Sequence, residues 1–311
     1  MATDIAPALL ANVQATLDSL IASDATLSAY QTMIDSGEDV ANGYYYAQMY
    51  AQRLGELIVQ ALRSHISATT LPDGRMYYNI ASRLLPPLLK QDYSLVTAVC
   101  ARVQTALNAA AGLGLQAVQP ALPDDRINGL VDEISNAERF DSYSRTLYDQ
   151  IPTFSGHIVD ASVEVNADVQ ARAGLSPQIV RIAAANCCAW CSRIAGTYDY
   201  EDARYNKSDI FKRHRCCRCV VSFKVRKLQQ NVHTRRWYDE SGTSISSTRI
   251  DLEPLRRTSE DAALLDAALA EEQKRIRRQQ RAAAITAYAD ANGVSHRRAA
   301  NRLTRAAQMT R

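Results

Sequence analysis

Six of the seven cysteines in this 311-residue chain lie between positions 187 and 219. They are Cys187, Cys188, Cys191, Cys216, Cys217 and Cys219. The first ten residues carry an acid, Asp4, where a secretory signal would carry positive charge, and no apolar run approaches the roughly 20 residues that span a bilayer. We therefore expect a soluble protein made in a cytoplasm, where crowded cysteines favour metal binding over disulfides.

Two arms of this cysteine cluster have the spacing of metal ligands. Cys188-Ala-Trp-Cys191 is a C-x2-C pair, which presents two thiolates from one tight turn. After 22 further residues, His214 and Cys217 repeat the same spacing, and Cys219 lies on the same face of a predicted strand as Cys217, which it could replace. Zinc takes four nitrogen or sulfur ligands in a tetrahedron, so five candidates compete for four places. Cys187 and Cys216 would distort the spacing and are expected to be spare.

The pattern favours a structural metal over a catalytic one. A hydrolytic zinc needs an open coordination position and a general base, but the chain contains no H-E-x-x-H motif. It also lacks the H-x-E motif that a nucleobase deaminase places before P-C-x-x-C. The loop 194–213 has too little apolar material to fold unaided, which a bound metal would remedy. Ordinary buried cysteines and a redox C-x2-C pair are the alternatives. We predict structural zinc and no enzyme activity.

Apolar periodicity predicts a mainly α fold. The clearest stripe follows the spacing i, i+3, i+4, i+7, i+11 and ends before Gly112. It consists of Val96, Val99, Cys100, Val103 and Leu107. Cys100 lies inside this stripe, so we expect a buried core thiol.

Breakers and propensities suggest how the rest of the chain is divided. A break is expected between Ile151-Pro152 and Gly156, and Ser176-Pro177 predicts a short helix over 177–185. The β-branched residues from Cys219 to Val225 predict a strand. The resulting architecture has four parts. They are a helical domain at 1–174, a zinc-stabilised α+β module at 175–238, a linker at 239–259, and a basic helical tail at 260–311.

The tail differs from the rest of the chain in its charge. The chain has a net charge of +3, yet the residues from Ala270 to Arg311 alone carry ten Lys or Arg against three acids. A cationic helix can neutralise phosphates without reading sequence, or it can bind an acidic partner protein, and both readings stay open. The candidate contact residues are Lys274, Arg275, Arg277, Arg278, Arg281, Arg297, Arg298, Arg302 and Arg305. A zinc-containing nucleic-acid-binding protein of bacterial or prophage origin is therefore the alternative function.

The cysteine module also resembles a known family. The pattern comprises Asn186-Cys-Cys188-Ala-Trp-Cys191, Ala195-Gly-Thr-Tyr-Asp-Tyr200, Phe211-Lys-Arg-His214 and Cys217-Arg-Cys219-Val220. It is similar to the C-x-W-C, A-G-x-Y, R-H-x-x-C-x-C pattern of tailed-bacteriophage minor capsid proteins, the head morphogenesis group that includes Mu F-like proteins. The likeness covers about residues 175 to 238, a quarter of the chain. The doubled cysteines at 187 and 216 depart from the pattern.

The resemblance implies a minor head protein of the virion. Such a protein would lie in the capsid interior near the portal after assembly in the bacterial cytoplasm, and would assist head assembly, DNA packaging or genome delivery. Its partners would be the portal protein, the major capsid or scaffold proteins and packaged DNA, with no membrane and no small-molecule substrate. Carried over residue by residue, the zinc ligands would come from Cys188, Cys191, His214, Cys217 and Cys219.

Overall fold

The structure is a computed structural model, and it describes residues 4–185, 187–205 and 209–224, three two-residue strands further along, and the single residues Thr286 and Ala300. Its helices and strands confirm the expected mainly α fold with a small α+β module. The α-helices are α1 (Ala6–Ser23), α2 (Ala25–Ser36), α3 (Gly43–His65), α4 (Tyr78–Ala110), α5 (Asp124–Ser135), α6 (Phe140–Arg172), α7 (Ala189–Arg193) and α8 (Tyr200–Tyr205). The strands are β1 (Gln178–Ile182), β2 (Gly196–Asp199), β3 (Val220–Lys224), β4 (Gln229–Gln230), β5 (Trp237–Tyr238) and β6 (Ser244–Ile245). Short 3-10 turns cover Val40–Asn42, Pro72–Gly74 and Asp209–Phe211.

The chain divides into two compact units. The larger contains Met1–Cys187 and Cys191–Arg256, and the smaller contains Cys188–Trp190 and Arg257–Arg311. The fold described below belongs to the larger unit.

Helix α3 lies at the centre of the helical bundle. It packs against α1, α2, α4 and α6, and most of its residues are buried. The predicted stripe of α4 faces this core, and Cys100 within it is 2% exposed, as expected. The helix ends follow the sequence: Asp24 caps α2 by accepting the Leu27 N–H at 2.7 Å, and Gly37 ends it with a φ of 63°.

The break expected near Pro152 is wrong, because α6 continues through it from Phe140 to Arg172. A proline inside a helix costs about 3 kcal/mol by itself, through a lost hydrogen bond and a steric clash. Here α6 packs closely on α3: a Cβ built on Gly55 would lie 2.6 Å from Pro152 Cα. The burial of α6 along this contact outweighs the local cost, so the helix continues.

The short helix expected over 177–185 is also wrong, because residues 178–182 form strand β1. β1 is the middle strand of the antiparallel sheet β2-β1-β3, with Ile179 opposite both Tyr198 and Phe223. The β-branched residues of this segment suit a strand, and two neighbouring strands satisfy its backbone groups. Strand β3 confirms the strand predicted after Cys219, and its buried face packs on α3 and α6.

A second small sheet has the order β4-β5-β6. Its last strand, β6, lies inside the stretch predicted to be a linker, and the rest of that stretch lies outside the described residues. The nine candidate contact residues of the basic tail also lie outside the described residues.

Candidate metal centre

Four of the predicted ligands lie together in the larger unit. Cys191 is on α7, His214 and Cys217 flank a turn, and Cys219 directly precedes β3. The three sulfur atoms belong to buried residues, with exposed fractions of 0%, 5% and 1% for Cys191, Cys217 and Cys219. His214 is half-buried. The cluster thus lies at the junction between the small sheet and the helical bundle.

The turn that carries two of these ligands has a defined backbone. The Cys217 N–H donates to the His214 carbonyl at 3.1 Å, which closes a four-residue turn. Inside it, Cys216 has a φ of 62°, in the left-handed region that glycine normally occupies. The side chains at the two ends of the turn both approach Cys191 Sγ, while Cys216 is exposed.

The distances from Cys191 Sγ to its neighbours are close to those around a tetrahedral metal ion. His214 Nε2 lies 3.2 Å from Cys191 Sγ, and Cys191 Sγ lies 3.7 Å from Cys217 Sγ. The sulfur atoms of Cys191, Cys217 and Cys219 all lie within 4.8 Å of one another. Metal–sulfur bonds of about 2.3 Å at tetrahedral angles place two sulfurs about 3.8 Å apart, and a nitrogen and a sulfur slightly closer. The cluster could therefore hold one metal ion.

The histidine is oriented as a ligand requires. Its Nδ1 lies 2.7 Å from the Arg215 carbonyl oxygen. A carbonyl can only accept, so Nδ1 donates, and in a neutral imidazole Nε2 then carries the lone pair that a metal needs. A backbone carbonyl that fixes the tautomer in this way is the usual outer contact of a metal-binding histidine.

The crowding of the sulfur atoms has an electrostatic consequence. The hydrogen bond with Cys191 raises the pKa of Cys219, and burial adds to that effect. Three neighbouring thiolates repel one another, so without a cation the group favours protonated thiols. A divalent metal reverses this preference, because its charge holds coordinating thiols deprotonated. The arrangement is suited to binding a soft metal ion.

Arg181 is a residue of this centre that the sequence reasoning missed. Its guanidinium Nη2 lies 3.8 Å from Cys191 Sγ and 3.7 Å from Cys217 Sγ, and its Nη1 donates to the Ile210 carbonyl. The residue is 1% exposed and permanently charged, so it favours the thiolate form of both sulfurs. The sequence signal for this residue is an arginine within the β-branched run of residues 179–182. Because the sequence reasoning predicts a helix there, it does not include Arg181 in the site.

The remaining cysteines differ in position. Cys187 is half-buried and Cys216 exposed, and neither belongs to a group of potential ligands among the described residues. Cys188 is half-buried and belongs to the smaller unit, so its role as a ligand stays a prediction. The larger unit contains four other candidate ligands, Cys191, His214, Cys217 and Cys219. Cys100 lies apart in the bundle core, where burial raises the pKa of its thiol to about 12 and makes it unreactive.

Within the described part of the chain, no helix is long and apolar enough to cross a bilayer. Comparison of the chain with models of known protein families, with curated proteins and with solved structures finds no match.

Proposed function

We propose that Cys191, His214, Cys217 and Cys219 bind one zinc ion whose role is structural. The observation that carries this proposal is that the sulfurs of Cys191, Cys217 and Cys219 lie within 4.8 Å of one another, with His214 Nε2 3.2 Å from Cys191 Sγ. Zinc accepts this Cys3His set, and four protein ligands leave no open position for a substrate. The centre is therefore a cross-link and not a catalytic group.

The proposed ion joins segments that are distant in sequence. It connects α7, the turn after the 3-10 helix at Asp209–Phe211, and the start of β3. The segment between these ligands contributes few buried apolar residues, chiefly Tyr200, Ala203 and Ile210. Structural zinc in small units contributes on the order of 10 kcal/mol, enough to stabilise a segment that buries so little.

A direct test measures bound metal in the intact chain by native mass spectrometry. We expect one zinc per chain in the wild type and none in the Cys191→Ser variant, accompanied by loss of protection from hydrogen exchange between residues 191 and 219. The control is Cys216→Ser, an exposed neighbour outside the cluster, which should retain the ion. A wild-type chain without metal would contradict the proposal. Loss of the ion in a Cys188→Ser variant would show that Cys188 is a ligand in place of one of the four.

We further propose that the chain is a minor head protein of a tailed bacteriophage, located inside the capsid near the portal, without enzyme activity. The support is the resemblance of the cysteine module to the minor capsid pattern and the meeting of four of its residues in one cluster. The zinc-bound module would then be a rigid element for contact with the portal, the major capsid or scaffold proteins, and the basic tail would contact packaged DNA or an acidic protein surface.

Co-expression with the portal and major capsid proteins of the same phage or prophage tests this role. We expect the chain to co-purify with portal rings or procapsids. A gene that lies in a neighbourhood without head genes would contradict the proposal. The alternative, a zinc-containing nucleic-acid-binding protein, predicts instead that the free chain binds DNA with an affinity that falls steeply as salt rises.

A further inference from the structure

A buried ion pair connects the metal-binding turn to the helical bundle. Arg213, the residue directly before His214, binds both carboxylate oxygens of Asp160 on α6 through Nε and Nη2, with an Nη2–Oδ1 distance of 2.7 Å. The two side chains are 2% and 0% exposed. This two-pronged geometry fixes the guanidinium plane relative to the helix.

The same guanidinium also reaches α3 and the turn itself. Its Nη2 donates to Gln48 Oε1 at 2.9 Å, and its Nη1 donates to the Cys217 carbonyl at 3.3 Å. One side chain therefore contacts α6, α3 and the backbone of a proposed ligand. Because Arg213 directly precedes His214 and its guanidinium binds the Cys217 carbonyl, this one group restrains both ends of the turn.

The bundle has a space shaped for this arginine. A Cβ built on Gly156 would lie 2.6 Å from Gln48 Nε2 and 3.3 Å from Arg213 Nη1. Gly156 is in the interior of α6, where glycine is less favourable than alanine. The missing side chain leaves room for the Gln48–Arg213 contact against the helix.

Stability alone is a poor explanation for such a pair. Removing two charges from water is costly, and apolar residues of similar volume often replace a buried ion pair with no loss of stability. The pair instead fixes the position of the turn on the bundle, because four hydrogen bonds hold the Arg213 guanidinium in one place. The ligands at the ends of the turn benefit from that constraint, since preorganised ligands lose less entropy when a metal binds.

We propose that Asp160 and Arg213 are positioning residues of the metal centre, and that the affinity for zinc depends on their ion pair. This inference rests on the proposed structural zinc. Contacts of this outer kind around metal sites typically change affinity by about 10-fold to 100-fold when they are removed. By linkage, metal binding should in turn strengthen the docking of the turn on α3 and α6.

The test compares zinc affinities by competition with a chromogenic chelator. The double variant Asp160→Leu, Arg213→Met replaces the pair with apolar residues of similar size and leaves all four ligands in place. We expect it to fold, as judged by circular dichroism, and to bind zinc about 10-fold to 100-fold more weakly than the wild type. An affinity within about threefold of the wild-type value would overturn the proposal.

A second variant keeps the test decisive if the double variant does not fold. Arg213→Lys retains a charge beside Asp160 but cannot bind Asp160, Gln48 and the Cys217 carbonyl together. We expect zinc binding about 10-fold weaker than in the wild type, and unchanged affinity would refute the positioning role.

The control changes a different ion pair in the same bundle. Arg102 of α4 pairs with Asp35 of α2 at 3.1 Å, and neither residue is in the segment that carries the ligands. The variant Asp35→Asn, Arg102→Met removes this pair and should leave zinc affinity unchanged. Equal loss of affinity in this control would assign the effect to general destabilisation. A wild-type chain that binds no zinc would instead refute the metal centre itself.

Discussion

Asp92 is a buried acid whose replacement should change how stability depends on pH. It lies in α4 with 1% exposure, and one carboxylate oxygen accepts the Ser155 hydroxyl of α6 at 2.7 Å. The other oxygen has no hydrogen-bond partner among the described residues. Burial raises the pKa of Asp92 from 3.8 to about 7, and the Ser155 hydrogen bond opposes this only in part. The folded protein therefore holds a proton that the unfolded chain releases near pH 4.

The magnitude follows from this difference in proton binding. Between pH 4 and pH 7 the folded state binds more protons at Asp92 than the unfolded state does, so this residue lowers stability as pH rises. With a folded pKa of about 7 and an unfolded pKa of 3.8, the loss between pH 5 and pH 8 is about 3 kcal/mol. A carboxamide cannot ionise, so the Asp92→Asn variant should gain about 3 kcal/mol relative to the wild type over that interval.

The assay is urea denaturation of both proteins at several pH values, taking the difference in unfolding free energy at each. The difference is needed because His157, whose pKa burial lowers to about 4, titrates over part of the same interval with the opposite sign in both proteins. Asp132→Asn, an exposed site, controls for the change in net charge. A difference that does not change between pH 5 and pH 8 would refute the argument that Asp92 is buried and neutral at low pH.

Two backbone predictions can be tested by the same denaturation assay. Gly55→Ala should lower the unfolding free energy by about 1–3 kcal/mol, because the new Cβ would lie 2.6 Å from Pro152 Cα. Gly129→Ala, where a Cβ would meet nothing within 4 Å, should raise the unfolding free energy by about 0.5–1 kcal/mol, because alanine favours a helix. Equal effects at the two sites would contradict the close approach of α3 and α6. Cys216→Gly should retain zinc and raise the unfolding free energy by up to about 1 kcal/mol, because Cys216 has a φ of 62°, which glycine adopts without strain. Cys216→Val should lower the unfolding free energy for the same reason. A valine variant more stable than the glycine variant would show that the turn has another conformation.

Much of the fold could be predicted from local sequence. The stripe containing Val96 and Cys100 faces the core of α4, and Gly37 ends α2, because helix periodicity and glycine conformation act over a few residues. The two-residue spacing between His214 and Cys217 likewise predicts a turn with both side chains directed to one point, and the structure has that turn.

Distant contacts decided what the sequence could not. Pro152 predicts a helix break by its own chemistry, but packing against Gly55 on α3 keeps α6 continuous. The residues after Pro177 predict a helix, but pairing with β2 and β3 makes them a strand. In both cases burial of a whole element exceeds a local preference of a few kcal/mol.

The candidate metal centre likewise combines features that the sequence shows with contacts that only the fold creates. The amino-acid sequence alone shows which side chains are chemically able to bind a metal, because ligand type and short spacing are properties of the chain. Only the tertiary structure brought Arg181 to the sulfurs of Cys191 and Cys217, and Arg213 to Asp160, 53 residues away. No periodicity or spacing encodes such pairs, since they follow from which faces of α6 and β1 become buried together. The candidate ligands were therefore readable from the sequence, and the charged groups around them were not.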